Sequence, residues 1–504
     1  MSGGPVSQEQ EETLEAVRIA KLERLRARGA DPYPPRVHRT QSVRGALETL
    51  YALEARGGPL STTLEVAVAG RLTALRGMGR ATFADVQDGT GRVQLHFRRD
   101  VLGDEPYEMI KDADLGDFVQ ARGSLFRTKT GEPTVAVQSW CVIAKALRPP
   151  PEKWHGLQDV ELRYRRRYLD LMTNAEVREV FRKRSKVISA VRRFMEARGF
   201  IEVETPVLEA HVGGAAARPF VTHYNALDEQ RYLRIALELH LKRLIVGGFD
   251  KVFEIGRVFR NEGLSTKRNP EFTMLESYEA YADYHAVADM VEELVAAAAR
   301  EVHGSTRFPY RETEIDVAPP WPRLAMRELL QRETGIDFLA VRDRQELIAS
   351  ARKLAVDVPE SASWGKALDE VWSTVVEPNL IQPVFVLDYP VELSPLAKRK
   401  PGQPELVERF EAFAGGFEIA NAYSELNDPL DQRARFEGQA GLRAAGEEEA
   451  ETLDEDFLRA LEQGMPPTGG LGIGIDRLLM VLLDQRSIRD VLLFPQLRTR
   501  ADQG

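Results

Sequence analysis

Residues 253–276 read FEIGRVFRNEGLSTKRNPEFTMLE, and the spacing around them decides the fold. Two runs rich in β-branched and aromatic residues, 251–260 and 271–277, predict strands joined by a polar loop with Asn-Glu-Gly and Asn-Pro turns. Charges of both signs cluster there: Arg260, Lys267, Arg268, Glu262, Glu271 and Glu276. Such a hairpin can hold phosphates against guanidinium groups, although a surface hairpin with solvated charges explains the pattern equally well.

Composition narrows the class of protein. With 504 residues, 43% hydrophobic and 29% charged, the chain has the size and balance of a globular protein with two or three domains. No apolar run is long enough to span a bilayer, and residues 1–12 lack the apolar segment of a secretory signal. The single cysteine, Cys141, excludes an internal disulfide or a cysteine-based zinc site. We therefore expect a cytoplasmic protein without a membrane partner.

The charge is segregated along the chain. A formal net charge of −10 argues against binding nucleic acid by bulk charge but allows local contacts. The stretch 163–186 is strongly basic, whereas 447–456 is acidic. The basic stretch fits contact with an RNA backbone and a salt-bridged helix surface equally well.

The hydrophobic pattern, together with the Gly- and Pro-rich turn signals, predicts four regions. They are a helical extension at 1–59, a β-barrel at 60–147, a Pro-rich linker at 148–170 and a larger domain at 171–504. Five strands, separated by turn signals and by a helical stretch at 105–112, predict a Greek-key barrel of the oligonucleotide-binding (OB) kind. The predicted strands are 66–72, 81–87, 92–98, 118–126 and 133–144.

The larger domain mixes both kinds of element. An amphipathic helix at 177–198 leads into an alternating stretch at 200–208, read as a strand that Pro206 stops. A helical insertion is expected near 320–380. A strand-turn-strand spans 407–423 and a glycine-rich run 469–474 precedes an apolar helix. A dinucleotide fold needs a helix that opens directly on the glycines and an acid about twenty residues later, and this run does not fit that pattern. It also lacks the Gly-Lys-Ser/Thr of a phosphate loop. The fold class is therefore α+β.

Several motifs resemble those of class II aminoacyl-tRNA synthetases, and more narrowly the bacterial-type lysyl-tRNA synthetases. The resemblance covers about 21–498: motif 1 near 177–208 with EVETP at 202–206, motif 2 at 251–278 and motif 3 near 466–485 with GLGIGIDR at 470–477. Further stretches typical of the lysyl branch lie between them: GGAAARPF at 213–220, LRIA at 233–236, SPLA at 394–397, EIANAYSELND at 418–428 and PPT at 466–468. The resemblance implies a mixed, mainly antiparallel sheet flanked by helices.

The resemblance also implies roles. Arg260 and Arg477 are expected to be catalytic, with Arg260 on the ATP α-phosphate and the amino acid carboxylate and Arg477 on the γ-phosphate. The remaining ATP-binding residues are expected to be Glu262, Arg268, Asn269, Phe272 (stacked on adenine) and Glu411. Glu411 and Glu418 are the expected Mg²⁺ ligands, because hard carboxylate oxygens suit that ion.

Lysine selectivity has its own physical argument. An ε-ammonium requires an acidic pocket, and three carboxylates without a compensating cation fit one. By resemblance, the lysine site comprises Gly214, Glu238, Arg260, Glu276, Tyr278, Asn421 and Glu425. The chain departs from the family pattern at Leu237, where proline is usual, and at Arg268 and Tyr224, where histidine is usual.

The implied partners are L-lysine, ATP, tRNA(Lys) and a second copy of the chain in a homodimer. Phe83 and Gln94 match positions that stack on and hydrogen-bond to unpaired anticodon bases. One alternative is a lysine-activating paralogue that modifies a target other than tRNA, although such relatives typically lack the barrel. Another is a non-enzymatic RNA-binding protein, which predicts loss of the active-site set that this chain retains.

Overall fold

A computed structural model describes residues 8–56, 64–151, 157–444 and 453–499. The chain divides into two compact units, Met1–Leu157 and Gln158–Gly504. No helix in the described ranges is long and apolar enough to cross a membrane.

The first unit is the predicted five-stranded closed barrel, with strands ordered β1-β2-β3-β5-β4. The strands are β1 (Leu64–Met78), β2 (Ala81–Gln87), β3 (Arg92–Arg98), β4 (Phe118–Arg127) and β5 (Pro133–Ala144). The helices are α1 (Gln8–Ala27), α2 (Val43–Ala55), α3 (Arg99–Leu102) and α4 (Asp104–Glu108). The parallel pairing of β3 with β5 closes the barrel, and the remaining strand pairs are antiparallel.

Alternation along the strands builds the interior of the barrel. Val93, Leu95 and Phe97 point inward on β3 and are buried, while their neighbours on the same strand face outward. The β2–β3 turn closes because the Asp88 carboxylate accepts from the backbone N–H of Thr90 at 2.7 Å and of Gly91 at 3.0 Å.

The second unit is built on a nine-stranded sheet, ordered β14-β15-β17-β18-β19-β11-β10-β6, with β16 paired to β17. Its strands are β6 (Ile201–Glu202), β7 (Leu208–Glu209), β8 (Val221–Tyr224), β9 (Glu229–Leu233), β10 (Lys251–Phe259), β11 (Glu271–Ala280), β12 (Arg307–Tyr310), β13 (Thr313–Asp316), β14 (Arg323–Ala325), β15 (Val384–Pro390), β16 (Arg399–Lys400), β17 (Gln403–Ala414), β18 (Phe417–Ser424) and β19 (Thr468–Gly474). Strands β7, β9 and β8 form a small separate sheet, and β12 pairs with β13. Within the large sheet only the β10–β6 and β14–β15 pairs are parallel, which confirms the mixed, mainly antiparallel sheet.

Helices surround this sheet, as the α+β prediction requires. They are α5 (Val160–Arg165), α6 (Arg167–Thr173), α7 (Ala175–Ala197), α8 (Glu238–Val246), α9 (Tyr284–His303), α10 (Met326–Thr334), α11 (Arg344–Lys353), α12 (Trp364–Val371), α13 (Pro429–Ala444), α14 (Glu455–Glu462), α15 (Ile475–Leu482) and α16 (Ile488–Val491). Helices α7, α9 and α15 supply apolar side chains to one core with Leu275 and Ile473 of the sheet. Helices α10–α12, in the predicted insertion, contribute to a second core cluster.

The strand predicted at 200–208 is much shorter than expected. Only Ile201–Glu202 and Leu208–Glu209 have strand geometry. Between them the Thr205 N–H and hydroxyl donate to the Glu254 carboxylate at 3.0 and 2.7 Å. The Thr205 N–H therefore bonds to a side chain instead of to the backbone of a neighbouring strand. Pro206 has no N–H to donate, which also ends the pairing.

The interval 148–170, predicted as a linker, contains ordered helix in its second part. Helix α5 begins at Val160, and Arg167 of α6 is buried. The Arg167 guanidinium donates to the carbonyls of Leu493 at 3.0 Å and Arg489 at 2.8 Å. In the same basic stretch Arg163 pairs with Asp170 at 2.9 Å, which favours the salt-bridged reading of these cations.

Candidate active site

The sheet register aligns four residues of the site on neighbouring strands. Glu411 lies opposite Asn421, Asn421 opposite Gly472, and Gly472 opposite Glu276. Residues directly opposite each other point to the same face of a sheet. The predicted metal ligand Glu411 and the predicted lysine ligand Glu276 are thus brought onto one face by four adjacent strands.

The glycines of β19 keep this face open. Gly470, Gly472 and Gly474 alternate with Leu471 and Ile473, which point into the core. A Cβ at Gly470 would overlap Oε1 of Glu425 and lie 2.7 Å from Cε1 of Tyr278. Any larger residue at this position would therefore displace two predicted lysine ligands, which explains the glycine.

Arg260 begins the loop of the hairpin. Its N–H donates to the Pro270 carbonyl at 2.8 Å, its Nε donates to the Ile235 carbonyl at 3.2 Å, and its guanidinium lies 5.2 Å from the Phe272 ring centre. Burial lowers the pKa of Arg260, and the carboxylates of Glu262, Glu418 and Glu276 oppose that shift. A guanidinium stays protonated at neutral pH, so Arg260 is a fixed positive charge between the predicted ATP and lysine residues.

Arg477 lies in the first turn of α15, beside the end of β19. Its Nη1 donates to Oε2 of Glu418 at 2.8 Å and reaches the Glu418 backbone carbonyl at 3.4 Å. The neighbouring Asp476 accepts from the Thr273 N–H at 2.7 Å, which ties the start of α15 to β11. Both predicted catalytic arginines therefore lie on elements anchored to β11.

Glu411 is held by two donors. The Tyr389 hydroxyl donates to its Oε2 at 2.9 Å, and Arg409 donates to its Oε1 at 2.6 Å. Burial and the nearby Glu418 carboxylate raise the pKa of Glu411 to about 8. Two carboxylates that repel each other in this way, both with hard oxygens, fit a divalent cation. Since no group of three or more His, Cys, Asp and Glu in the described ranges could hold a metal by itself, ATP oxygens would have to complete the coordination.

Two further residues of the hairpin loop, Arg268 and Asn269, were predicted to bind ATP. Arg268 is exposed and pairs with Glu262 at 3.3 Å, so it keeps a positive charge where the family pattern has histidine. Asn269 is buried, donates to the Glu271 carbonyl at 2.6 Å and accepts from the Gln496 N–H at 3.3 Å. Its amide is thus committed to shaping the loop.

The predicted lysine pocket contains a cation that the sequence reasoning missed. Lys242 lies one helical turn after Glu238, with its Nζ 2.5 Å from Glu238 Oε1 and in contact with Glu425 Oε2. The second oxygen of Glu238 accepts from the Tyr423 hydroxyl at 2.7 Å. The expectation of three carboxylates without a compensating cation is therefore wrong. The i,i+4 spacing of Glu238 and Lys242 was the available signal.

Glu276 lies at the centre of the pocket and accepts two hydrogen bonds. The donors are the Leu237 N–H at 2.9 Å and the Tyr278 hydroxyl at 3.1 Å. Burial, and then the Glu238 carboxylate, raise the pKa of Glu276 to about 8. The departure at Leu237 has a structural consequence here, because a proline has no N–H to donate.

Gly214 and Asn421 complete the predicted set. Gly214 has a φ of +86°, and a Cβ there would lie 3.1 Å from the Cβ atoms of Ala236 and Glu238. Gly214 therefore lies next to Glu238 of the predicted pocket, and its place beside the substrate stays a prediction. The Asn421 carbonyl oxygen accepts from Arg409 Nε at 3.0 Å, so Arg409 links the predicted lysine and metal residues.

Comparison with known proteins places this geometry in a family. A family model described as tRNA synthetases class II (D, K and N) matches residues 159–498. The chain belongs to that family. A second model, an OB-fold nucleic acid binding domain, matches residues 66–143 of the synthetase.

Relatives agree over nearly the whole length. A lysine–tRNA ligase of Dehalococcoides mccartyi is 53% identical over 98% of this chain and 99% of that protein. One of Pelotomaculum thermopropionicum is 54% identical over 97% of this chain and 95% of that protein. One of Moorella thermoacetica is 54% identical over 98% of this chain and 99% of that protein.

The barrel of this synthetase presents a polar and aromatic outer face. Phe83 and His96 are cross-strand neighbours whose rings stack at 4.4 Å, and both are half-buried. Gln94 lies on the same strand as His96 and accepts from the Thr134 hydroxyl at 3.0 Å. Phe97, the next residue after His96 on β3, is 2% exposed and belongs to the core. Phe83 and Gln94 are thus available at the surface for bases to contact.

Proposed function

We propose that the chain attaches L-lysine to tRNA(Lys) through a lysyl-adenylate, using the sheet face described above. The observation that carries this proposal is the buried acidic pocket next to Arg260. Oε1 of Glu425 is buried and has no hydrogen-bond partner among the described residues, whereas Oε2 contacts the Lys242 ammonium. A buried carboxylate oxygen left without a donor is costly, and an incoming ammonium removes that cost.

The pocket charge supports lysine over an anionic or neutral amino acid. The pocket holds three carboxyl groups against the single Lys242 ammonium, and burial raises the pKa of both Glu276 and Glu425. A bound ε-ammonium favours the ionised form of these carboxyls and compensates their charge. An aspartate side chain would meet Glu425 as a like charge, and an asparagine would leave it unneutralised. Aspartate and asparagine are the substrates that the family description leaves open.

In the first step an oxygen of the lysine carboxylate attacks the α-phosphorus of ATP. The new C–O–P bond forms as the bond to pyrophosphate breaks, and pyrophosphate leaves. Arg260 is positioned to hold the carboxylate and the α-phosphate together and to stabilise the charge that develops on the phosphoryl oxygens. Phe272, whose ring faces the Arg260 guanidinium, offers an apolar surface for adenine.

Arg477 and the two glutamates act on the remaining phosphates. Arg477 supplies a guanidinium near the end of the triphosphate, and Glu411 and Glu418 would hold Mg²⁺. When bound, the ion neutralises phosphate charge as pyrophosphate leaves. Arg409 and Tyr389 keep Glu411 oriented for this role.

In the second step a hydroxyl of the terminal tRNA ribose attacks the carbonyl carbon of the adenylate, and AMP leaves. The direct test is incorporation of labelled lysine into tRNA(Lys) with ATP. Failure to charge tRNA while lysine-dependent ATP–pyrophosphate exchange persists would favour the paralogue that modifies another target. The complete barrel, matched over residues 66–143, supports tRNA.

We also propose a homodimer in the cytoplasm. Apolar side chains are exposed along the motif 1 region and the small sheet that follows it: Ile201, Val207, Leu208, Val221, Tyr224 and Leu227. Exposed apolar side chains concentrated in one region of the chain fit burial against a second copy. The cytoplasmic location is supported by the single cysteine, because a chain without disulfides fits a reducing compartment.

The barrel face gives a prediction that separates tRNA binding from chemistry. Because stacking on an aromatic ring is worth about 1–3 kcal/mol per base, Phe83→Ala is expected to raise the KM for tRNA on the order of tenfold or more. Exchange of pyrophosphate into ATP, which needs no tRNA, should stay unchanged. Phe118→Ala, another half-buried barrel phenylalanine, serves as control. An unchanged tRNA KM in Phe83→Ala would contradict the anticodon role.

The raised pKa of Glu276 predicts a pH dependence of lysine binding. A substrate ammonium favours the ionised carboxylate, so below the pKa of about 8 binding has to expel a proton. Lysine affinity should therefore increase from pH 6.5 to pH 8.5. Calorimetry without ATP, in buffers of different ionisation enthalpy, should detect proton release at pH 7. The release should shrink in Glu276→Gln, and its absence from the unsubstituted protein would contradict the role given to Glu276.

A further inference from the structure

Lys242 is buried among groups that the proposed mechanism uses. Its side chain is 0% exposed, and it faces the carboxylates of Glu238 and Glu425. Its Nζ also lies 5.6 Å from the ring centre of Tyr423 and 6.0 Å from that of Tyr278. The substrate ammonium is expected in the same pocket, so the chain places a lysine of its own beside the one it binds.

This internal ammonium is charged. Burial by itself lowers the pKa of Lys242, but Glu238 and Glu425 outweigh that effect and raise it. The ring faces of Tyr423, Tyr278 and Phe457, the last at 5.9 Å, surround the cation on its other sides. Glu276 is the remaining carboxylate of the pocket, and its donors are Leu237 and Tyr278 instead of Lys242.

Lys242 contacts one oxygen of Glu238 and one of Glu425, and the two remaining oxygens have different surroundings. Glu238 is occupied on both sides, by Lys242 at Oε1 and by Tyr423 at Oε2. Glu425 is occupied only at Oε2. Its Oε1 points to the face of Gly470, where the glycine leaves no side chain in the way. Lys242 therefore leaves one carboxylate oxygen of the pair directed at the site.

The geometry points to Lys242 as a positioning residue for lysine recognition: it holds Oε2 of Glu425, favours the ionised carboxylate and leaves Oε1 directed at the substrate ε-ammonium. This inference rests on the proposed lysine site. Without Lys242 the three buried carboxyl groups would lose the one cation that faces them. Burial raises the pKa of Glu425 and the Lys242 charge opposes that shift, so Glu425 would then take up a proton. A protonated Glu425 offers the ε-ammonium no charge.

A simple count of charges predicts the opposite. On that view, removing Lys242 makes the pocket more negative and lysine binds more tightly. The two views therefore differ in the sign of one measurable change, which makes the substitution decisive.

The experiment measures KM for lysine and for ATP in pyrophosphate exchange by Lys242→Met, which preserves side-chain length and removes the charge. We expect the lysine KM at pH 7 to rise about tenfold or more, the equivalent of one pKa unit or more, with the ATP KM unchanged. The rise should shrink toward pH 9 as the protonated carboxylate ionises. Arg243→Met is the matched control, because Arg243 also contacts the Phe457 ring but pairs with Asp454.

A merely structural role gives a different result. It predicts equal losses for lysine and ATP and no pH dependence of the loss, and that outcome would overturn the inference, as would an unchanged or lowered lysine KM in folded Lys242→Met. If Lys242→Met fails to fold, Lys242→Gln retains an N–H donor without the charge, and the same rise with the same pH profile is expected.

A double substitution separates this inference from the site on which it rests. If Lys242 acts through Glu425, Lys242→Met/Glu425→Gln should have a lysine KM no higher than that of Glu425→Gln alone. Additive losses would overturn the inference while leaving the lysine site intact. An unchanged lysine KM in Glu425→Gln alone would instead refute the proposed site.

Discussion

Replacing Arg260 with alanine is expected to lower lysine-dependent ATP–pyrophosphate exchange on the order of 10³-fold, the loss expected when one donor to a developing oxyanion is removed. The charge of Arg260 interacts with Glu418, a proposed metal ligand, and with Glu276, a proposed lysine ligand. The variant therefore loses both the alignment of the two reactants and a fixed charge at the reacting phosphorus. The loss should fall mainly on kcat, because the charge develops in the transition state.

The control for this variant lies on β10, the strand that leads to Arg260. Arg257→Ala removes an exposed guanidinium three residues earlier and should leave exchange near its original rate. Arg260→Lys keeps the charge but not the two-pronged geometry, so we expect it to recover only part of the activity. Full exchange activity in folded Arg260→Ala would contradict the mechanism.

Glu425→Gln should have the second large effect, on lysine affinity. Truncating one partner of a buried charge pair costs about 2–5 kcal/mol, which corresponds to a rise in the lysine KM on the order of 10²-fold or more. Glutamine preserves the volume next to Gly470 but removes the charge that the ε-ammonium meets. The ATP KM should be nearly unchanged, since Glu425 contacts Lys242 and the amino acid pocket and none of the proposed phosphate-binding residues.

Glu279→Gln provides the comparison for this variant. Glu279 lies three residues after Glu276 on β11 and forms an ion pair with Lys251 at 2.6 Å, outside the pocket. Loss of this ion pair should change the KM for lysine and the KM for ATP by no more than a small factor, because partly exposed ion pairs contribute about 0–1 kcal/mol. Equal effects of the two substitutions on the lysine KM would mean that Glu425 has no specific role.

The fold was predictable where a regular pattern met clear turn signals. Strands β2 to β5 were predicted to within one residue of their ends, because inward residues such as Leu95 and Phe97 alternate with polar ones and Asp88 signals the turn. Strand β1 was predicted at 66–72 but continues to Met78. The strand at 200–208 was overestimated because the sequence shows its alternation but not the Glu254 carboxylate that captures Thr205. Long-range side-chain bonds of this kind have no local signature.

The site was predictable in residue type and less so in charge balance. Family resemblance supplied Arg260, Glu411 and Glu425, and the register then brought their strands together. The hydrogen-bond partners of these residues depend on cross-strand register, which one sequence does not give. Arg409 and Tyr389, which donate to Glu411, are examples. Lys242 was visible as an i,i+4 partner of Glu238, but only burial shows that it lies within the pocket.

The measurement that tests the central claim most directly is ATP–pyrophosphate exchange with each of the twenty amino acids in turn. The negative pocket formed by Glu238, Glu276 and Glu425 with Lys242 predicts exchange with lysine and essentially none with aspartate or asparagine. Exchange that depends on aspartate or asparagine, with none on lysine, would contradict the account.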